Sequence, residues 1–194
     1  FKLLFVFAIL MMLFSGNLFT AQIGHSHEGW EAEAKTSYLT PFSYPMIDDI
    51  NWDLKNENND IILSGNGNLS NFIFNEPGKY SLNIKKKESV GEEGYSNIPD
   101  KLNITVSPMK MIFDMSSVII SPGITGGTST IGTTLTVNVD FISYDGTSAV
   151  YDKGIISSGI DTHITGKLKN SPFTLNQGKN VLVFELQGQA SSGN

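Results

Sequence analysis

The apolar and polar positions of this chain fall into two regimes. Residues 3–14 (LLFVFAILMMLF) form an uninterrupted apolar run. Such a run predicts either the core of an export signal or the first part of a retained hydrophobic helix. Leu18, Phe19 and Ile23 continue it more sparsely after Ser15, Gly16 and Asn17 interrupt it; glycine alone costs a helix about 1 kcal/mol relative to alanine. From residue 3 to residue 23 a helix would reach about 30 Å, one bilayer core. Trp30, Ala34 and Tyr38 then recur at a spacing of four, and Glu31 and Lys35 stand as a helical i,i+4 pair. Pro41 and Pro45 end any such element. The pattern predicts a mostly helical stretch over residues 1–39 with a soft spot at Ser15, Gly16 and Asn17.

From Ile50 onward the period changes to two. Leu135, Val137, Val139 and Phe141 alternate with Thr134, Thr136, Asn138 and Asp140, the mark of a half-buried strand. Tyr80, Leu82 and Ile84 alternate likewise, as do Leu102, Ile104 and Val106. Short apolar runs at 72–74, 111–113, 118–120 and 181–184 are bounded by turn residues. Asp145-Gly146 reads as a hairpin turn, and Pro77-Gly78, Pro122-Gly123, Gly126-Gly127 and Gln177-Gly178 punctuate the rest. The expected class is α+β: a long N-terminal hydrophobic α-helix followed by an all-β sandwich body. The segment 74–82 (FNEPGKYSL) resembles the turn-plus-tyrosine strand of Ig-like domains. Expected domains are 1–40 (helix), 41–108 and 109–194 (two Ig-like units), or one merged sandwich over 46–190.

Composition narrows the function. The formal charge is −6, and the only basic run is Lys85-Lys86-Lys87, which excludes a nucleic-acid partner. The absence of cysteine removes disulfides, thiolate metal sites and cysteine catalysis together.

Read as a processed terminus, Phe1 followed by a hydrophobic helix, a soft patch and a β body resembles the type IV pilin family and its archaeal relatives. Bacterial members carry Glu at the fifth position, where this chain has Phe5; archaeal members often lack that acid and carry Ig-like domains. The resemblance implies an extracellular, adhesive filament subunit that waits in the cytoplasmic membrane and then polymerises with itself. Its assembly residues would be Phe1, Leu3, Leu4, Phe5, Val6, Phe7, Ile9, Leu10, Leu13 and Phe14. The alternative is a secreted monomeric Ig-like binding module, cut after the Phe19-Thr20-Ala21 stretch to begin at Gln22.

Reactive chemistry is sparse. His25 and His27 would share a metal only on extended backbone, since i and i+2 diverge on a helix. His163 sits in a strand pattern without catalytic companions, and no nucleophile elbow, HExxH, P-loop or GxGxxG occurs. Asp48, Asp49, Asp53, Glu57, Asn58, Asn59 and Asp60 supply oxygen ligands of the kind calcium takes, without EF-hand spacing; they read as a solvated loop. No catalytic residue, metal or cofactor is assigned. Two sequons, Asn68-Leu69-Ser70 and Asn103-Ile104-Thr105, make Asn68 and Asn103 candidate glycan acceptors, with Asn103 expected to point outward from its strand.

Overall fold

A computed structural model describes residues 30–46, 50–86, 98–157 and 163–190. Fourteen strands and no helix occur among these residues. They group into two units that divide between Met109 and Lys110.

The first unit begins with β1 (Glu31–Ser37), where a helix was expected. β1 runs parallel to β7 (Lys101–Ser107) in unbroken register, from Glu31 opposite Lys101 to Ser37 opposite Ser107. This corrects the α+β class and the helix over residues 30–39. The cause is arithmetic: a spacing of four is one helical turn but also two strand repeats, so Trp30, Ala34 and Tyr38 lie on one side in either conformation. The intervening residues decide. Ala34 and Thr36 are buried while Glu31, Glu33 and Lys35 are exposed, a period of two. Glu31 does not serve as a helical partner of Lys35; it accepts a 2.6 Å hydrogen bond from Asn103 Nδ2 on β7 and faces Lys101 at 3.5 Å. The apolar segment and the soft spot at residues 15–17 lie outside the described residues.

The remaining strands are β2 (Pro41–Tyr44), β3 (Asn51–Lys55), β4 (Ile61–Asn66), β5 (Leu69–Ile73) and β6 (Gly78–Lys85). The large sheet has the order β1-β7-β6-β3-β4, and β2 pairs with β5 in a two-stranded sheet. Phe74 ties the two together. Its ring meets Phe42 of β2 at 5.8 Å, Phe72 of β5 at 4.9 Å and Tyr80 of β6 at 4.6 Å. Tyr80 then turns its hydroxyl back to donate to the Glu76 carbonyl at 3.0 Å, fixing the Pro77-Gly78 turn. On β3, Trp52 and Leu54 face the core, and the Trp52 indole N–H donates to the Gly67 carbonyl at 2.7 Å. The indole lies across Gly65, directly opposite on β4, where a Cβ would come within 2.2 Å of the ring. Only glycine admits the tryptophan.

The second unit contains β8 (Met109–Ser121), β9 (Thr134–Ser143), β10 (Ala149–Tyr151), β11 (Ile155–Ile156), β12 (His163–Leu168), β13 (Phe173–Leu175) and β14 (Gly178–Gln189). Its large sheet has the order β11-β12-β14-β9-β8, and β10 pairs with β13. Leu135, Val137, Val139 and Phe141 of β9 are buried, as the alternation predicts, beside Leu182, Phe184 and Leu186 of β14. Two expectations need correction. Asp145-Gly146 does form a turn, with Gly146 at φ +77°. It does not join a hairpin, because β9 and β10 belong to different sheets. The runs at 111–113 and 118–120 are not two short strands. They are parts of β8, and none of its 13 residues is buried.

Candidate functional site

Several polar side chains that could carry chemistry are held by neighbours among the described residues. Asp53 lies on the outer face of β3, accepts from Ser64 Oγ on β4 at 2.6 Å and pairs with Lys85 on β6. The Lys85 and Ser64 bonds hold its carboxyl below the usual carboxylate range. Lys86 pairs with Asp100 at 2.8 Å, so both described members of the basic run face carboxylates.

The oxygen-rich loop read as solvated folds on itself. Asn56 Oδ1 accepts from the N–H groups of Asn58 and Asp60 at 3.0 and 2.9 Å, an Asx-type closure, and Asn59 takes φ +65° at the tip. Asp48 and Asp49 lie outside the described residues. No group of three or more His, Asp or Glu side chains converges as for a metal among the described residues.

A second polar knot closes one end of the second unit. Asp145 Oδ1 accepts from Ser143 Oγ at 2.8 Å, Thr147 Oγ1 at 2.7 Å and the Thr147 N–H at 3.0 Å. Those bonds, led by the Thr147 hydroxyl, lower its carboxyl to about 2. The Ser143 N–H donates to Gln177 Oε1 at 2.8 Å, and buried Asn180 binds the Asn176 and Gly178 carbonyls at 2.8 Å each. The arrangement is a brace between loops and leaves no carboxylate poised as an acid or base. His163 is exposed on β12 opposite Gln189; His25 and His27 lie outside the described residues.

The two sequons are placed differently. Asn68 is exposed just before β5, and its Oδ1 accepts the Met46 N–H at 2.7 Å. Asn103 points away from the core as expected, but its Nδ2, the atom a glycan would take, is held by Glu31. The Asn103 bond is also the main reason the Glu31 carboxyl sits below its ordinary range.

What the surface offers is apolar. On β4, Ile61, Ile62 and Leu63 are 57, 43 and 37% exposed. On β8, Ile112 and Ile119 are 40 and 63% exposed, with Met109, Met111, Phe113, Met115, Val118 and Ile120 half-buried. Neither exposed set was legible as such: residues 61–63 are three consecutive apolar residues after a turn, and the runs at 111–113 and 118–120 read as short strands. The assembly residues of the pilin resemblance, Phe1 through Phe14, lie outside the described residues. No protein-family model matches the chain, and no curated protein or solved structure matches it significantly.

Proposed function

We propose that this chain is an exported, non-enzymatic binding module, two β domains in tandem presented outside the cell behind an apolar N-terminal segment. The observation that carries this reading is β1. It is an integral strand of the first domain from Glu31 onward, so the folded body starts soon after the apolar stretch ending at Ile23. A first strand that begins there suits an apolar run that is cleaved on export or left in lipid. The Ig-like character of the first domain is supported by its sheet order, in which the last strand, β7, sits between β1 and β6, and β6 beside β3. The Tyr80 hydroxyl bound to an upstream carbonyl is a tie of the kind found at the corner of such sandwiches. Non-enzymatic work is supported by carboxylates that are braced by neighbours.

A second reading, the self-polymerising filament subunit, is favoured by the unbroken apolar run at 3–14, which exceeds what an exposed surface tolerates and must meet lipid or copies of itself. Intact mass and N-terminal sequencing of the native protein, with electron microscopy of the producing cells, separate the two. A mature chain beginning near Gln22 and no filaments is the expected result. Filaments built of chains beginning at Phe1 would establish the second reading, and a protein confined to the cytoplasm would refute both.

A further inference from the structure

The turn between β4 and β5 presents a side-chain amide to solvent. Gly67 takes φ +67° there and is held from both sides: its N–H donates to the Ile50 carbonyl at 2.9 Å, and its carbonyl accepts the Trp52 indole N–H at 2.7 Å. Asn68 follows, exposed, with exposed Ser70 two residues on and buried Leu69 between them. The Met46 N–H can only donate, so the amide atom of Asn68 that faces it, at 2.7 Å, is Oδ1. That contact orients the amide and leaves Nδ2 with no protein partner among the described residues. Asn103 is the opposite case. It lies on β7, between β1 and β6, opposite Glu33 on one side and Ser81 on the other. Its Nδ2 donates to the Glu31 carboxylate at 2.6 Å. The surroundings of Asn68 supply a second observation. No residue from 61 to 75 is charged, nor is any residue of β2, the partner of β5. Yet Ile61, Ile62, Leu63 and Ile73 are exposed on this stretch. Surfaces ordinarily stay soluble through charge; a bulky, hydrated glycan supplies solvation without it.

We propose that Asn68 is glycosylated on the folded first domain and that Asn103, the other sequon, is not. The inference rests on the export reading above, because it needs a transferase that meets exported chains. The co-substrate is a glycan carried on a lipid through a phosphate linkage. Asn68 Nδ2 bonds to the anomeric carbon of that glycan, and the bond from this carbon to the phosphate oxygen breaks. The lipid phosphate leaves with the electron pair, and one Nδ2 proton passes to a base of the transferase. An amide nitrogen is a poor nucleophile while its lone pair is delocalised, so the transferase must hold and twist the side chain. It must also engage the hydroxyl two residues on, which is part of the acceptor motif. At Asn68 this displaces one hydrogen bond, from Met46, and Ser70 is exposed. At Asn103 it would break the bond to Glu31 and draw β7 away from the strands on both sides.

The test uses the full chain purified from the cells that produce it, after fractionation shows where it resides. Intact mass should exceed the value for the polypeptide, and tandem mass spectrometry should place the added sugar on the peptide containing Asn68 and leave the Asn103 peptide bare. Ser70→Ala keeps Asn68 and its bond to Met46 but removes the acceptor hydroxyl. It should abolish the added mass with unchanged circular dichroism, whereas Thr105→Ala should leave the added mass in place. An exported chain without sugar overturns the proposal and leaves the export reading standing; a bare chain confined to the cytoplasm overturns both. Sugar on Asn103, or added mass that survives Ser70→Ala, also overturns the proposal.

Discussion

Asp145 shows how a turn that looks reactive is built for stability. Three donors converge on one carboxylate oxygen and lower its pKa from 3.8 to about 2. The charged form is the one the fold stabilises, so the contribution is complete above the unfolded value and is lost as pH falls from about 4 through 2. Urea unfolding of wild type and Asp145→Asn should show a clear gap at pH 7 that narrows steadily below pH 4. A gap independent of pH would mean the charge is not what matters. A backbone prediction lies at Gly188, which sits at φ +128° with its would-be Cβ 1.8 Å from the His163 carbonyl oxygen. Gly188→Ala therefore meets both a strained backbone and a clash that only strand separation relieves. It should cost at least about 1–3 kcal/mol, read as a fall in Tm. Gly146 is the control: its φ is +77°, with nothing within 4 Å of the would-be Cβ. Gly146→Asn, a residue that tolerates left-handed backbone, should be far milder.

At the scale of elements, β9 tests the strand register. Val137 is fully buried and Thr136 faces the opposite side, half-exposed. Val137→Asp strands a carboxylate in the core and should cost roughly 3–5 kcal/mol, as breaking a buried pair does, while Thr136→Asp should leave the melting curve nearly unchanged. Equal effects would show that β9 is turned over. Strands like β9 were legible because strict alternation over eight residues has one reading. β1 was not, because every helical cue in it was a spacing of four, and four is shared by both periods. β8 was misread for a different reason. An apolar run states that a segment avoids water, but whether it lies inside a sheet or at its edge is set by which distant strands pair, and no local pattern encodes that. The Asp145-Gly146 turn repeats the lesson, since the turn is local and the choice of sheet for β10 is not.

For the whole molecule, the question is what the segment before Trp30 contributes to the folded body. The Asp100 N–H donates to the Trp30 carbonyl at 3.0 Å, the first described residue is thus already engaged, and β1 covers the edge of β7 along its full length. Among the described residues, the first domain's sheets begin with β1. Deleting residues 1–24 should therefore leave a soluble, folded protein whose Tm and β-type circular dichroism match those of the exported form. Extending the deletion through Ser37 is the informative contrast. It removes buried Ala34 and Thr36 and leaves β7 as a bare edge whose Leu102, Ile104 and Val106 line the core. That variant should lose the first domain's unfolding transition while the second domain, whose described strands contain no residue before Met109, keeps its own. Differential scanning calorimetry of the two deletions decides. If the shorter deletion already unfolds the protein, the apolar segment is part of the body's core, and the reading of the chain as a self-sufficient exported module falls. If the longer one melts like the shorter, β1 is dispensable, and the parallel pairing with β7 no longer marks where the folded body begins.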